Sequence, residues 1–195
     1  MREEDVLALF EEAGAIARGH FVLSSGLHSP TFLRKNLVFM RPEWTAQLGA
    51  ALADRLRAFG DVDLVVTPAI GGLLPAYEVA RHLGVPMIYL EREGGRFVFR
   101  RGFTVPRGSR VAIVEDVVTT GQVSAQVIGE VRGHGGRVVC VGYVVDRSRE
   151  PLALDVPSAA LLKYSAPLYA AGAVPTELAR LPVEAPGSGH PANAI

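Results

Sequence analysis

Two adjacent acids, Glu115 and Asp116, followed by hydroxyl residues and a glycine, are the side chains with the clearest chemical use. Residues 111–114 before them are apolar and predict a buried strand, and the residues after them predict an amphipathic helix. In an open α/β sheet, ligands bind where the carboxyl end of a strand meets a helix N-terminus. Amides and hydroxyls at residues 119–122 suit a phosphate, whereas the acids suit the hydroxyl groups of a sugar. An exposed acid pair followed by a helix cap would explain the acids alone, but the whole of residues 111–123, termed the signature segment, predicts a phosphorylated-sugar site.

A second turn with the same placement, residues 67–73, is termed the glycine loop. It follows a β-rich run at residues 64–67 and precedes a predicted helix at residues 73–83. Gly71 and Gly72 would let the backbone approach a ligand closely. A plain tight turn is the alternative interpretation of the loop taken alone.

The order of the remaining elements predicts how these two segments are positioned. Continuous apolar strands separated by amphipathic helices are typical of a parallel sheet covered on both faces. Further strands are predicted at residues 86–90, 110–114, 137–145 and 159–162, a hairpin or mobile arm at 94–103, and further helices at 3–15, 42–59 and 122–132. We therefore expect an α/β fold with a central parallel sheet flanked by helices.

Length and charge limit the kinds of protein that this chain can be. The 195 residues fit one domain, expected over residues 1–185, and the tail at 186–195 has the composition of a disordered segment. Lys and Arg together number 20, as do Asp and Glu, so a nucleic-acid partner is not expected. Because the N-terminus is acidic and no apolar run approaches ~20 residues, we expect no membrane association and a cytoplasmic location.

The signature segment resembles, over its whole length, the 5-phosphoribosyl diphosphate (PRPP) signature of type I phosphoribosyltransferases. It lacks the ending of a Walker A loop and the Rossmann fingerprint. The resemblance implies the type I fold, with a small N-terminal hood formed mainly by residues 1–40 and a PRPP-binding core at about 60–165. It implies that PRPP is bound by Glu115, Asp116, Val117, Val118, Thr119, Thr120, Gly121, Gln122 and Val123.

The glycine loop is similar to the pyrophosphate-binding loop of the same family, which implies that Gly71 and Gly72 also bind PRPP. Some relatives carry a lysine at the position of Gly71, and this chain does not. Charge for the pyrophosphate is therefore expected from backbone amides, Mg²⁺ or arginines.

Residues 19–30 resemble the hood segment of orotate phosphoribosyltransferases, with the order Gly-His-Phe-x-Leu-x-Ser-Gly-x-x-Ser. The resemblance implies transfer of the phosphoribosyl group from PRPP to orotate, which gives orotidine 5'-phosphate and pyrophosphate. It also implies that Arg147 faces the orotate carboxylate, for which a guanidinium fork is suited, and that Thr119 and Phe32 contact orotate.

Residues 91–103 lie where this family has its flexible catalytic arm, and they are termed the arm. Orotate enzymes often have lysine and histidine in a longer arm, whereas this arm has neither. The resemblance implies Mg²⁺ held mainly by PRPP and pyrophosphate oxygens without a certain protein ligand, and a homodimer in which the arm reaches the neighbouring site. The expected catalytic residues are Asp116 and the arginines Arg92, Arg96, Arg100 and Arg101, with a solvated basic hairpin as the alternative for the arm.

Two other functions are compatible with the PRPP signature. A purine-type phosphoribosyltransferase would share the fold but would lack an arginine for the orotate carboxylate. A PRPP-binding regulator without catalytic activity would be expected to carry a DNA-binding domain or a basic face.

Overall fold

The computed structural model describes residues 1–23 and 25–186, which form two β-sheets and six α-helices. None of the helices in this part of the chain is long and apolar enough to cross a membrane. The strands are β1 (Ile16–Val22), β2 (His28–Leu33), β3 (Leu64–Pro68), β4 (Met87–Glu93), β5 (Arg96–Phe99), β6 (Arg110–Val118), β7 (Arg137–Asp146), β8 (Ser158–Lys163) and β9 (Val183–Glu184). The helices are α1 (Glu3–Glu12), α2 (Asn36–Phe39), α3 (Pro42–Leu56), α4 (Leu73–Leu83), α5 (Gln122–Gly133) and α6 (Thr176–Ala179), with short 3-10 turns at Arg57–Phe59 and Ala171–Ala173.

The central sheet has the strand order β5-β4-β3-β6-β7-β8. All neighbours are parallel except β5, which runs antiparallel to β4. The chain moves outward from β3 to β4 and β5, then returns to the other side of β3 as β6. This reversal creates a crevice between the carboxyl ends of β3 and β6, where ligands bind in open α/β sheets. The predicted fold class is confirmed.

Alternation along the central strands fills two apolar layers. Val65 faces α4, where it joins Val79, whereas its neighbour Val66 faces α5, where it joins Ile113 and Val127. All five side chains are fully buried. Because both faces are covered, the strands are apolar at consecutive positions, which explains why they could be predicted from continuous apolar runs.

Several element bounds agree with the sequence prediction and others do not. Helix α4 spans the predicted residues 73–83 and ends at Gly84, which is left-handed at φ 72°. Helix α1 ends at Glu12 instead of residue 15, because Gly14 adopts φ 63° and turns the chain into β1. Strand β6 continues to Val118 instead of ending at residue 114, because β7 pairs with it that far. The acid pair therefore lies within a strand and not beyond it.

The hood is a separate three-stranded sheet with the order β2-β1-β9. Its third strand comes from the C-terminal region, where Val183 pairs in parallel with His20. Tyr169 forms two backbone hydrogen bonds with His28, of 2.8 and 2.9 Å, and Leu178 is buried. The hood thus includes residues from the C-terminal region in addition to the predicted residues 1–40. Residues 187–195 of the predicted disordered tail lie outside the described residues.

Candidate active site

The signature segment and the glycine loop lie side by side at the crevice between β3 and β6. Leu64 is in register with Val111, and Val66 with Ile113, so the two parallel strands deliver their carboxyl ends to one edge. The glycine loop then leads into α4 and the signature segment into α5. The structure therefore brings together the two segments that the sequence predicted to share a ligand.

Asp116 is the acid of the pair that reaches the glycine loop. Its side chain is 13% exposed, and its Oδ1 accepts a 2.9 Å hydrogen bond from the Val117 amide. Its Oδ2 forms an ion pair with the Lys35 ammonium but has no hydrogen bond of ordinary geometry among the described residues. A β-carbon at Gly71 would collide with this carboxylate. The glycine is required here because the loop and the acid approach so closely.

Gly72 has a similar steric role one residue later. A β-carbon there would collide with the Thr67 hydroxyl and would lie 3.2 Å from the carbonyl oxygen of Val114. Thr67 and Gly72 are both buried. The glycine loop is therefore packed directly onto β6, and its shape is fixed by the sheet.

Glu115 lies in the interior, in contrast to its neighbour. The residue is 4% exposed, and its Oε1 accepts a 2.5 Å hydrogen bond from Ser124, whose hydroxyl lies 2.7 Å from that of Tyr143. Burial raises the pKa of Glu115 to about 7, although the Ser124 hydrogen bond acts in the opposite direction. In this arrangement only Asp116 of the acid pair faces the glycine loop, and sugar binding by Glu115 stays a prediction.

The turn between β6 and α5 presents polar groups to solvent. Thr119 and Thr120 are exposed, and the Gln122 amide donates a 3.4 Å hydrogen bond to the Thr120 hydroxyl. Gly121 is left-handed at φ 77°, which allows the turn to enter α5 directly. The first amides of a helix have no partners within the helix, so this turn has the donors that a phosphate requires.

Arg147 follows β7 and is tied to the signature segment through its backbone. Its amide donates a 2.8 Å hydrogen bond to the Val118 carbonyl. Burial lowers the pKa of its guanidinium, although Tyr164 acts in the opposite direction. Within residues 1–23 and 25–186, no carboxylate lies within 4.0 Å of this guanidinium. A partly buried arginine in this state is a good candidate to bind an anion.

The turn that carries Arg147 is braced by a polar cluster. The Lys163 ammonium donates 2.8 Å hydrogen bonds to both Asp146 Oδ2 and Ser148 Oγ, and the Ser148 amide donates to Asp146 Oδ1 at 2.7 Å. Burial alone would raise the pKa of Asp146, but these hydrogen bonds outweigh it and lower the pKa. The bracing fixes the backbone on both sides of Arg147.

Phe32, the predicted aromatic contact for orotate, lies on β2 of the hood. It is partly buried, and its ring packs against Phe21 with centroids 5.8 Å apart. The neighbouring pair His20 and His28 is joined by a 2.6 Å hydrogen bond between ring nitrogens. Phe32 thus belongs to an ordered hood surface, and its contact with orotate stays a prediction.

The arm forms a hairpin in which β5 pairs back onto β4. Arg100 makes a 2.6 Å ion pair with Glu93, and Arg101 makes one with Glu91. The Arg92 guanidinium lies over the ring of Phe97, 4.8 Å from its centroid, and Arg96 is exposed. Among the described residues, none of the four arginines forms an ion pair with the signature segment. Their catalytic role stays a prediction.

Lys35 and Lys163 are the site residues that the sequence reasoning missed. They are the only two lysines among the 20 basic residues, and both contact an acid at the carboxyl edge of the central sheet. The one feature of the sequence that could have indicated these two residues is the rarity of lysine, because the other basic residues are all arginine. Nothing in the local sequence around Lys35 indicates that it meets Asp116.

The comparisons with known proteins agree with this geometry. The phosphoribosyl transferase domain family matches residues 41–157. Orotate phosphoribosyltransferase of Caulobacter vibrioides is 54% identical over 189 residues, covering 96% of this chain and 97% of that protein. The protein of the same name from Phenylobacterium zucineum is 52% identical with the same coverage.

A solved structure is similar as well. The crystal structure of orotate phosphoribosyltransferase from Aeropyrum pernix matches with a TM-score of 0.68 at 27% identity, covering 80% of this chain and 92% of that one. The resemblance stated from the sequence is confirmed: the chain belongs to the phosphoribosyltransferase family and, within it, to the orotate phosphoribosyltransferases.

Proposed function

We propose that this chain transfers the 5-phosphoribosyl group of PRPP to orotate, giving orotidine 5'-phosphate and pyrophosphate in the synthesis of pyrimidine nucleotides. The observation that supports the proposal is that three unlike groups follow neighbouring parallel strands at the same edge of the central sheet. These are the Asp116 carboxylate beside the glycine loop, the amides that begin α5, and Arg147, whose backbone amide is bonded to Val118 at the end of β6. They match a sugar with its pyrophosphate, a phosphate, and the carboxylate of the base.

PRPP is assigned to the signature segment and the glycine loop. Asp116 accepts hydrogen bonds from the ribose hydroxyls, and the turn at residues 119–122 binds the 5-phosphate. The glycine loop places its backbone close to the pyrophosphate, because Gly71 and Gly72 leave no side chain in the way. Orotate lies between Arg147 and Thr119 and is covered by the hood at Phe32.

In the reaction, N1 of orotate forms a bond to the anomeric carbon of PRPP while the bond from that carbon to the pyrophosphate oxygen breaks, and the N1 proton passes to the leaving pyrophosphate. Positive charge develops on the ribose, and the leaving pyrophosphate takes the electron pair. The Asp116 carboxylate stabilises the positive charge, and the surrounding cations and amides stabilise the negative charge. The arm covers the crevice and excludes water, which would otherwise react with the ribose. No covalent bond to the protein is required.

Mg²⁺ is proposed as the cofactor, and it would be held mainly by oxygens of PRPP and pyrophosphate. No group of three or more metal-binding side chains is found among the described residues. The residues present fit a metal that arrives with its substrate, because beside the glycine loop Asp116 offers a shielded carboxylate oxygen whose one contact is the ion pair with Lys35. When bound, the ion would neutralise charge on the leaving pyrophosphate.

We also propose that the chain forms a homodimer in the cytoplasm and that the arm reaches the neighbouring site. Ile70, Leu74 and Tyr77 are 82%, 54% and 58% exposed, and their spacing places them on one side of the start of α4. Apolar side chains exposed beside a ligand loop are typical of a subunit interface. Sedimentation velocity of the purified chain tests the proposed homodimer, and we expect the mass of two chains.

The test of the proposed function is the fall in orotate absorbance when the purified chain meets PRPP and Mg²⁺. Adenine, guanine, hypoxanthine, xanthine and uracil are offered separately, and products are identified by chromatography. We expect orotidine 5'-phosphate and pyrophosphate to appear in equal amounts, and neither to appear without PRPP. Turnover of a purine instead of orotate would favour the purine-type alternative, and PRPP binding without any turnover would favour the regulator.

A further inference from the structure

Lys35 is held at the edge of the crevice by a rigid backbone. It immediately precedes α2, and its carbonyl accepts hydrogen bonds of 2.9 and 3.1 Å from the amides of Val38 and Phe39. Both of these residues are buried in the core, and the neighbouring Arg34 amide donates a 2.7 Å hydrogen bond to Ala15. The base of the lysine side chain is therefore fixed, and only its four-carbon stem is free to move.

The ammonium group of Lys35 lies between the two halves of the site. It forms an ion pair with Asp116, and it lies 3.1 Å from the position that a β-carbon at Gly71 would occupy. The side chain is 32% exposed, so the ammonium is shielded but still accessible. The Lys35 ammonium therefore lies close to the position that the β-carbon of a side chain at Gly71 would occupy, although the two residues are far apart in the sequence.

The charges of the site call for such a cation. Residues 67–73 contain no lysine, arginine or histidine, and the adjacent signature segment contributes the Asp116 carboxylate. A pyrophosphate group would bring several further negative charges to the same place. The arm arginines Arg100 and Arg101 are engaged with Glu93 and Glu91, so they do not supply this charge in the described arrangement.

We propose that Lys35 binds the pyrophosphate group of PRPP and supplies the positive charge that the glycine loop itself lacks. The inference rests on the proposed function and names a residue for one part of it. An ammonium is compact and has three donors, so it can bond a pyrophosphate oxygen while one donor remains on Asp116. When pyrophosphate leaves, the ammonium returns to Asp116, which keeps that carboxylate compensated in the empty site.

The test compares Lys35→Ala and Lys35→Met with the unchanged chain. Binding of inorganic pyrophosphate in the presence of Mg²⁺ is measured by calorimetry, and KM is measured separately for PRPP and orotate. Loss of one charged hydrogen bond weakens binding by about tenfold or more. We expect at least a fivefold loss for pyrophosphate and PRPP, with KM for orotate within twofold. Lys35→Met keeps the apolar stem and serves if the alanine variant does not fold.

The matched control is Arg137→Ala, which removes one positive charge from an exposed position at the start of β7, at the opposite edge of the sheet. It should change pyrophosphate affinity by less than twofold. A loss smaller than fivefold in both Lys35 variants would overturn the inference.

A second comparison separates pyrophosphate binding from simple neutralisation of Asp116. If Lys35 only compensated that carboxylate, Lys35→Met combined with Asp116→Asn would bind pyrophosphate as well as the single variant Asp116→Asn, and the inference would be wrong. We expect the double variant to stay at least fivefold weaker than that single variant. Failure of the unchanged chain to use orotate would refute the proposed function alone, because the pyrophosphate measurement does not depend on the base.

Discussion

The glycine loop and the arm are both expected to meet pyrophosphate, yet the protein holds them in opposite ways. The glycine loop is packed onto β6, with Gly71 and Gly72 in contact distance of Asp116 and Thr67. The arm contains the edge strand β5, and its cations Arg100 and Arg101 are paired with glutamates of the same hairpin. If both regions bind pyrophosphate as proposed, the glycine loop needs no rearrangement to do so, whereas the arm has to exchange its internal ion pairs for contacts with the ligand.

This difference separates two contributions to catalysis. Groups fixed by the sheet stabilise charge without a cost of reorganisation, which makes their removal expensive. Arginines on an exposed hairpin must first break ion pairs that contribute little to stability. Substitutions in the hairpin are therefore expected to change kcat/KM less, and they can raise or lower it. The variants below test this distinction, starting with the largest expected effect.

Asp116→Asn tests the fixed region. The change removes the carboxylate charge while keeping the shape of the side chain, and we expect kcat/KM for PRPP to fall by about 100-fold or more. Steady-state kinetics measure the effect. The control is Asp61→Asn, an exposed acid paired with Arg110 at the other end of β6, which should retain activity within twofold. Equal activities in the two variants would show that the reaction does not depend on the Asp116 carboxylate.

The interior acid of the same strand should be visible in the pH dependence of stability. The pKa of Glu115 in the folded chain, about 7, lies above its ordinary value of 4.5. The stabilisation from the protonated form is therefore fully present below about pH 4.5 and is lost as pH rises through about 7. The full difference is on the order of 3 kcal/mol.

Glu115→Gln removes this titration. Urea unfolding at about pH 5 and about pH 8 should show the free energy of unfolding of the variant, relative to the unchanged chain, rising with pH. Glu11→Gln, on the exposed face of α1, is the control and should show no such rise. A constant difference across the range would mean that Glu115 is solvated in solution.

The smallest effect is expected in the arm. Glu93→Gln and Glu91→Gln release Arg100 and Arg101 without touching either arginine, and we expect kcat/KM for PRPP to rise by about twofold to threefold. Asp155→Asn is the control, because it opens an exposed ion pair with Arg132 far from the crevice. A fall in kcat/KM would show that the internal ion pairs hold the arm in its active shape.

The sheet and its crevice could be predicted because apolar runs and glycine turns are local in the sequence. Helix α4 is amphipathic and has a glycine before its first residue and another after its last, so both of its ends could be predicted. The opposite orientations of Glu115 and Asp116 were not, because they depend on β6 continuing beyond its apolar run through pairing with β7. The contact of Lys35 with Asp116 was hidden for a similar reason, since only the docking of α2 onto the core creates it.

The pairing of β9 with β1 has a consequence for how the protein is made. The hood joins His20 to Val183, two residues separated by most of the chain, and Tyr169 joins it at His28. Such distant contacts form slowly, because the chain must close a long loop before they stabilise anything. During synthesis the central sheet can therefore assemble while the hood still lacks its third strand. We therefore expect the hood to be completed as one of the last steps of folding.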